Sequence, residues 1–194
     1  MTIKLQGILI CAALAATSAP TAAQETTDQD TVAVSGSVSG ICVLGTPSRS
    51  AVDLGQLIAL SGPRVGRAAA IGNQQVTLAG SFCNFAGTTL SVSAQALVAA
   101  DANAVQPGFA RAVNFTSSVS NWATQDAAVT TSATAGGATP TSQAAGGTHP
   151  APRIADLTLT LSGFSVPSDL LLVAGGYSGH VTITLGPAAT PAAE

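Results

Sequence analysis

The chain is predicted to be all-β, a sandwich with immunoglobulin-like or jelly-roll topology. Three observations predict it. About eight short segments alternate apolar and polar residues at period two, as a strand with one buried face does. Turn chemistry rich in Gly, Pro, Asn and Ser separates them. No stretch after residue 23 carries an apolar stripe of useful length at helical spacing. Runs of short strands with frequent turns pack as two sheets around one core.

Residues 1–23 read as a secretory signal. Lys4 is their only charge, residues 7–15 (GILICAALA) form a short apolar core, and residues 18–23 (SAPTAA) supply the small residues of a cleavage site. Gln24 is the expected mature start. The apolar core is too short for a permanent membrane helix, and Ile10 is too bulky to precede a lipid-modified Cys11.

The mature chain, residues 24–194, has five arginines and no lysine against nine acids, a net charge of −4. Phosphate neutralisation has nothing to work with, which excludes nucleic acid as a partner. Ala, Ser, Thr, Gly and Val dominate and charge is scarce, unlike an ordinary cytoplasmic enzyme. Beyond Cys11 the cysteines are Cys42 and Cys83. Export and an even count make one disulfide the expectation.

The opening segment, residues 31–44 (TVAVSGSVSGICVL), alternates through Val32, Val34, Gly36 and Val38 and ends beside Cys42. It follows a polar, acidic stretch, residues 24–30. After a turn at residues 45–50, residues 51–60 are predicted as a second strand, interrupted at Gly55 by a bulge or close backbone approach. Residues 61–73 are a loop with Arg64 and Arg67. Residues 74–82 alternate through Val76, Leu78, Gly80 and Phe82, then reach Cys83. Across the turn at residues 84–87, residues 88–97 alternate through Leu90, Val92 and Ala94.

Residues 109–119 form the next strand, with Val113 and Phe115 on one side. Asn114-Phe115-Thr116 matches the short glycosylation sequon. Trp122 is expected to cover one end of the core. Residues 124–152 are low-complexity, without an apolar period, and are expected to be a long exposed loop. Regularity returns with Leu157, Leu159 and Leu161. Residues 169–174 make a short strand, and residues 177–185 alternate through Tyr177, Val181, Ile183 and Leu185. Residues 188–194 are expected to be a flexible tail.

Catalytic and metal-binding arrangements are not found in this pattern. Residues 176–179 (GYSG) lack the spacing of a nucleophile elbow. Ser178 and His180 have no acid in evident reach. The aspartates are spread singly, and His149 and His180 sit in unlike contexts. No glycine-rich loop opens a helix. The expectation is therefore a non-enzymatic chain with no cofactor.

Four features of the chain resemble the secreted pilin-like modules of bacteria, the chaperone–usher fimbrial subunits and the related spore-coat protein U domains. They are the V-x-V-x-G-x-V opening that ends in Cys42-Val43, the segment Val52-Asp53-Leu54-Gly55, the later Cys83, and residues 174–184 (AGGYSGHVTIT), similar to the closing strand of such proteins. The low-complexity insertion and the alanine-proline tail depart from the compact subunits. The resemblance implies an immunoglobulin-like, pilin-type sandwich over residues 41–187, lacking its last strand. It implies that residues 24–40 are an extension whose Val32, Val34, Gly36 and Val38 are donated to a neighbour. It further implies a groove edged by Tyr177, Val181, Ile183 and Leu185, and an exported subunit of a surface fibre or coat. Like subunits, a periplasmic chaperone and an outer-membrane usher would be its partners. The alternative is a self-contained exported sandwich that binds a carbohydrate or surface protein near Trp122 and the long loop.

Overall fold

A computed structural model of the chain describes residues 28–101 and 105–188. The signal expected at residues 1–23 and the tail from residue 189 onward lie outside the described residues. By compactness the chain divides into two units, Met1–Ser37 and Val38–Glu194. In the first, residues 28–37 carry no strand, and Val32 and Val34 are exposed. Of the strand predicted over residues 31–44, only Cys42–Val43 is laddered, and the rest is corrected, since residues 31–41 carry no strand.

The second unit is all-β. Its strands are β1 (Cys42–Val43), β2 (Thr46–Pro47), β3 (Gln74–Cys83), β4 (Thr88–Ala99), β5 (Phe109–Ala110), β6 (Ala112–Ser120), β7 (Ala127–Thr130), β8 (Ser142–His149), β9 (Arg153–Ser165), β10 (Leu171–Leu172) and β11 (Tyr177–Pro187). The main path runs β1–β3–β9–β6–β4–β11, with β2 on β3, β7 on β6 and β8 on β4. Every ladder on it is antiparallel.

One strand divides the path into two layers. In β6, Ala112 and Val113 pair with Val98 and Leu97 of β4, whereas Asn114 onward pairs with β9. The layers are thus β1/β2–β3–β9–β6–β7 and β8–β4–β11. The order matches the ABED and CF strands of an immunoglobulin sandwich. The whole curls almost into a barrel, with a seam between β1/β2 and β11.

The core follows the alternation. Leu157, Leu159 and Leu161 of β9 face inward, and the first two lie in register with Leu78 and Val76 of β3. Leu90, Val92 and Ala94 of β4 and Phe115 and Val119 of β6 complete the interior. Each buried Leu, Val or Phe contributes about 1.5–3 kcal/mol relative to exposure. The disulfide Cys42–Cys83 joins directly opposed residues of β1 and β3, as expected.

The phase of β3 differs from the expected alternation. The register shifts between Leu78 and Ser81, where Gly80 takes a φ of 71°. The Gly80 amide donates to the Asp156 carboxylate at 2.8 Å. The extra residue turns Ser81 and Cys83 inward and Phe82 outward. Without it, Cys83 would face away from Cys42.

Two expected segments are corrected. Residues 51–60 form no strand and make only the single bridges Ile58↔Ala68 and Ala59↔Val65. The reason lies at Asp53, whose carboxylate accepts the Gly55 amide at 2.8 Å while Gly55 adopts a φ of 65°. That local turn breaks the extended run. Residues 124–152 are not a long exposed loop, since they contain β7 and β8. Their small side chains leave no apolar period, but small size is what admits them. A Cβ on Gly146 would lie 2.8 Å from the Gln125 carbonyl oxygen.

Candidate functional site

The seam is an apolar groove of about 650 Å³. Its floor is made by Val76, Leu78, Leu159, Leu161, Phe115 and Phe164, side chains of the core itself. One bank is the segment from Leu44 to Leu54, and the other is β11 from Tyr177 to Ile183.

The first bank is tied to β3 where it begins. The Gly45 amide donates to the Ser81 hydroxyl at 2.9 Å. No other residue fits at Gly45, because a Cβ there would meet the Ala79 carbonyl oxygen at 1.9 Å. Ser48 exchanges two bonds with Thr77, and the Arg49 guanidinium donates to the Gln75 carbonyl at 2.7 Å. Beyond Arg49, Val52 and Leu54 stay half-buried over the floor without a ladder partner among the described residues.

Among the described residues the second bank ladders only with β4. Val181, Ile183 and Leu185 oppose Ala94, Val92 and Leu90. The outer edge of β11 has no ladder among the described residues, so a row of backbone groups is left for another strand. A bulge between Ser178 and His180 kinks the strand at Gly179. There a Cβ would come within 2.8 Å of the Gln95 carbonyl oxygen. Tyr177 anchors the start of the strand, its hydroxyl donating to the Val173 carbonyl at 2.9 Å. Burial raises the pKa of the Tyr177 phenol, against a smaller opposing effect of the Arg111 charge.

Of the four groove-edge residues read from the sequence, Tyr177, Val181 and Ile183 line the groove. Leu185 packs against the core outside that lining. Val34 is 93% exposed, and a Cβ on Gly36 would meet nothing within 4 Å. The bank at Val52 and Leu54 was read as a strand, and its role beside the groove carries no local signature. Phe115 and Phe164, whose ring centroids are 5.9 Å apart, likewise join the floor only through the fold.

Other features carry less chemistry. Trp122 is 3% exposed and belongs to the core, so its ring offers no face to an external ligand. The Asn114 amide oxygen accepts from the Ala133 amide at 2.7 Å and the Thr131 hydroxyl at 3.0 Å, and its nitrogen donates to the Ala133 carbonyl. That side chain is engaged rather than presented for modification. Among the described residues no group of three His, Cys, Asp or Glu side chains could hold a metal ion. Asp169 bridges Arg64 at 2.6 Å and Arg67 at 3.3 Å on the surface. The Arg64 hydrogen bond is the main cause that lowers the Asp169 pKa, with both arginine charges assisting and slight burial opposing. Compared with family models, curated proteins and solved structures, the chain matches none.

Proposed function

We propose that this chain is a non-enzymatic structural or adhesive subunit of an extracellular fibre or coat, and that its groove accepts an extended strand from a second copy. Residues 31–39 are the donor. The observation that carries the reading is the apolar groove lying along the unladdered edge of β11. Such an edge and floor gain from a strand that supplies backbone partners and alternate apolar side chains together.

The donor fits that requirement in length and pattern. Nine extended residues span about 30 Å, against about 37 Å for the eleven residues of β11. Val32, Val34 and Val38 fall on one face with Gly36 between them, where the backbone approaches closely. Antiparallel addition continues the pattern of the main path and is slightly the more stable mode. It puts Val38 beside the Tyr177 end of the acceptor and Val32 beside the Leu185 end. Export through a secretory signal, a periplasmic chaperone that covers the edge in transit and an outer-membrane usher complete the proposal. These follow from the family resemblance.

The test uses a full chain in which Val32, Val34 and Val38 are all changed to Asp. It is expected to stay monomeric while the unmodified chain forms multimers, and to bind a synthetic TVAVSGSVS peptide. Multimers that persist unchanged in the triple variant would falsify the reading.

A further inference from the structure

The two ends of the sandwich each expose an apolar patch. At the end where β3 turns into β4, Val43, Phe82 and Ile154 lie in register across β1, β3 and β9. Ile154 is 78% exposed, and Val43 and Ile41 are exposed beside it. The opposite end, where β11 begins, carries a cap. There the amides of Ala59 and Gly66 bond the carbonyls of Arg67 and Ala59, Leu172 donates to the Gly66 carbonyl, and β10 pairs with β5. This cap exposes Leu60 (73%), Val65 and Phe109. Large exposed apolar side chains gathered at two ends point to contact surfaces.

We infer that these two patches meet in the assembled fibre: Ile41, Val43 and Ile154 of one copy pack against Leu60, Val65 and Phe109 of the next. The inference rests on the reading that residues 31–39 are donated antiparallel to β11. Chain length then does the rest. Val38 would lie beside the acceptor's Tyr177, and Ile41 follows three residues later, a reach of about 10 Å. The donor's own first strand therefore starts against the acceptor's cap. Ile41 and Val43 arrive first, with Ile154 two strands away.

The contact is heterologous, one surface against a different one, so it does not close and propagates as a fibre. Parallel donation would instead bring the Ile154 ends of two copies together as a closed pair. Three side chains on each face are far below the roughly 800 Å² per partner of a stable interface. The patches act only when the donor strand already tethers the copies, at an effective concentration on the order of millimolar. Their role is to fix the angle between successive copies.

The experiment is cysteine crosslinking of the full chain. Ile154 and Leu60 are exposed, so Ile154→Cys and Leu60→Cys leave folding intact. Multimers of the double variant, mildly oxidised and run on a non-reducing gel, are expected to give a ladder of covalent species. Neither single variant should give one. Multimers without a ladder overturn the contact, as does a covalent dimer from Ile154→Cys alone, the mark of a closed pair. Binding of the TVAVSGSVS peptide to the triple aspartate variant separates the two levels. Peptide binding without a ladder sinks only the end-to-end contact, whereas failure of the peptide to bind sinks strand donation and the contact with it.

Discussion

The Tyr177 hydroxyl donates to the carbonyl of Val173, four residues earlier, at 2.9 Å. The bond closes the turn through Gly175 and Gly176 that launches β11. It corresponds in position to the tyrosine corner of immunoglobulin sandwiches, at the start of strand F. The same ring lines the groove, so one residue sets both the strand's entry and the end of the site. Tyr177→Phe keeps the ring and deletes the bond. It is expected to lower stability by about 1 kcal/mol, read as a shift of the urea midpoint at constant slope. An unchanged midpoint would show that the turn holds itself.

The disulfide should matter more. Cys42 and Cys83 are 41 positions apart and directly opposed in the β1–β3 ladder. Two residues of pairing in β1 hold little alone. Cys42→Ala with Cys83→Ala is expected to cost on the order of 4 kcal/mol through the freed loop. Denaturant unfolding of the variant, beside the native chain with and without reductant, checks it. Equal stability of reduced and oxidised chains would contradict the expectation.

Strand β8 depends on smallness. A Cβ on Gly146 would lie 2.8 Å from the Gln125 carbonyl oxygen and 2.9 Å from the Ala127 amide nitrogen. Those are backbone atoms of the stretch entering β7, and they cannot swing aside. Gly146→Ala is expected to destabilise by about 1–3 kcal/mol. Gly176→Ala, where a Cβ meets nothing within 4 Å, is the matched control. Comparable losses for the two would mean that β8 contributes little.

That strand also marks where the sequence stops being readable. Val76, Leu78, Leu157 and Leu159 announce β3 and β9 because a large side chain in every second place reports the buried face directly. Alanine, glycine and serine report nothing of the kind, and β8 is held by its ladder to β4. The bulge at Gly80 was hidden for a different reason. Its partner, Asp156, is 76 positions away, so the phase change that turns Cys83 inward depends on a contact no local pattern contains. Within the groove, Val181 and Ile183 were legible as an alternating strand edge. Val52 and Leu54 were misread as a strand because alternation does not reveal the Asp53–Gly55 turn that encloses Leu54.

Asp169 gives the chain a pH dependence whose sign is fixed. The Arg64 hydrogen bond is the leading cause of its lowered pKa. The unfolded chain therefore binds more protons between the lowered value and the ordinary carboxylate value of about 3.9. Stability from this carboxylate is full above about pH 4 and is lost as pH falls through the lowered value. The group is exposed, so the effect is small and fades with salt. Asp169→Asn is expected to unfold earlier than the native chain at about pH 6, with the gap narrowing as the pH is lowered below the ordinary carboxylate value of about 3.9. A gap that stays constant between those conditions would show that the charge is not its source.

The groove prediction turns on Ile183. It opposes Val92 across the β11–β4 ladder, is half-buried, and lines the cavity. Thr182, its neighbour on β11, is exposed on the other face. Ile183→Ala removes methyl groups that a bound strand would cover, and it leaves the backbone edge unchanged. The affinity of the TVAVSGSVS peptide for the triple aspartate chain is expected to fall on the order of 10-fold, equivalent to about 1.4 kcal/mol. Thr182→Ala in the same chain should leave the affinity unchanged. Calorimetry measures both, and a negative heat-capacity change on peptide binding is expected because apolar surface leaves water. If both variants bind as the parent does, the peptide occupies some other surface, and the groove has no part in assembly.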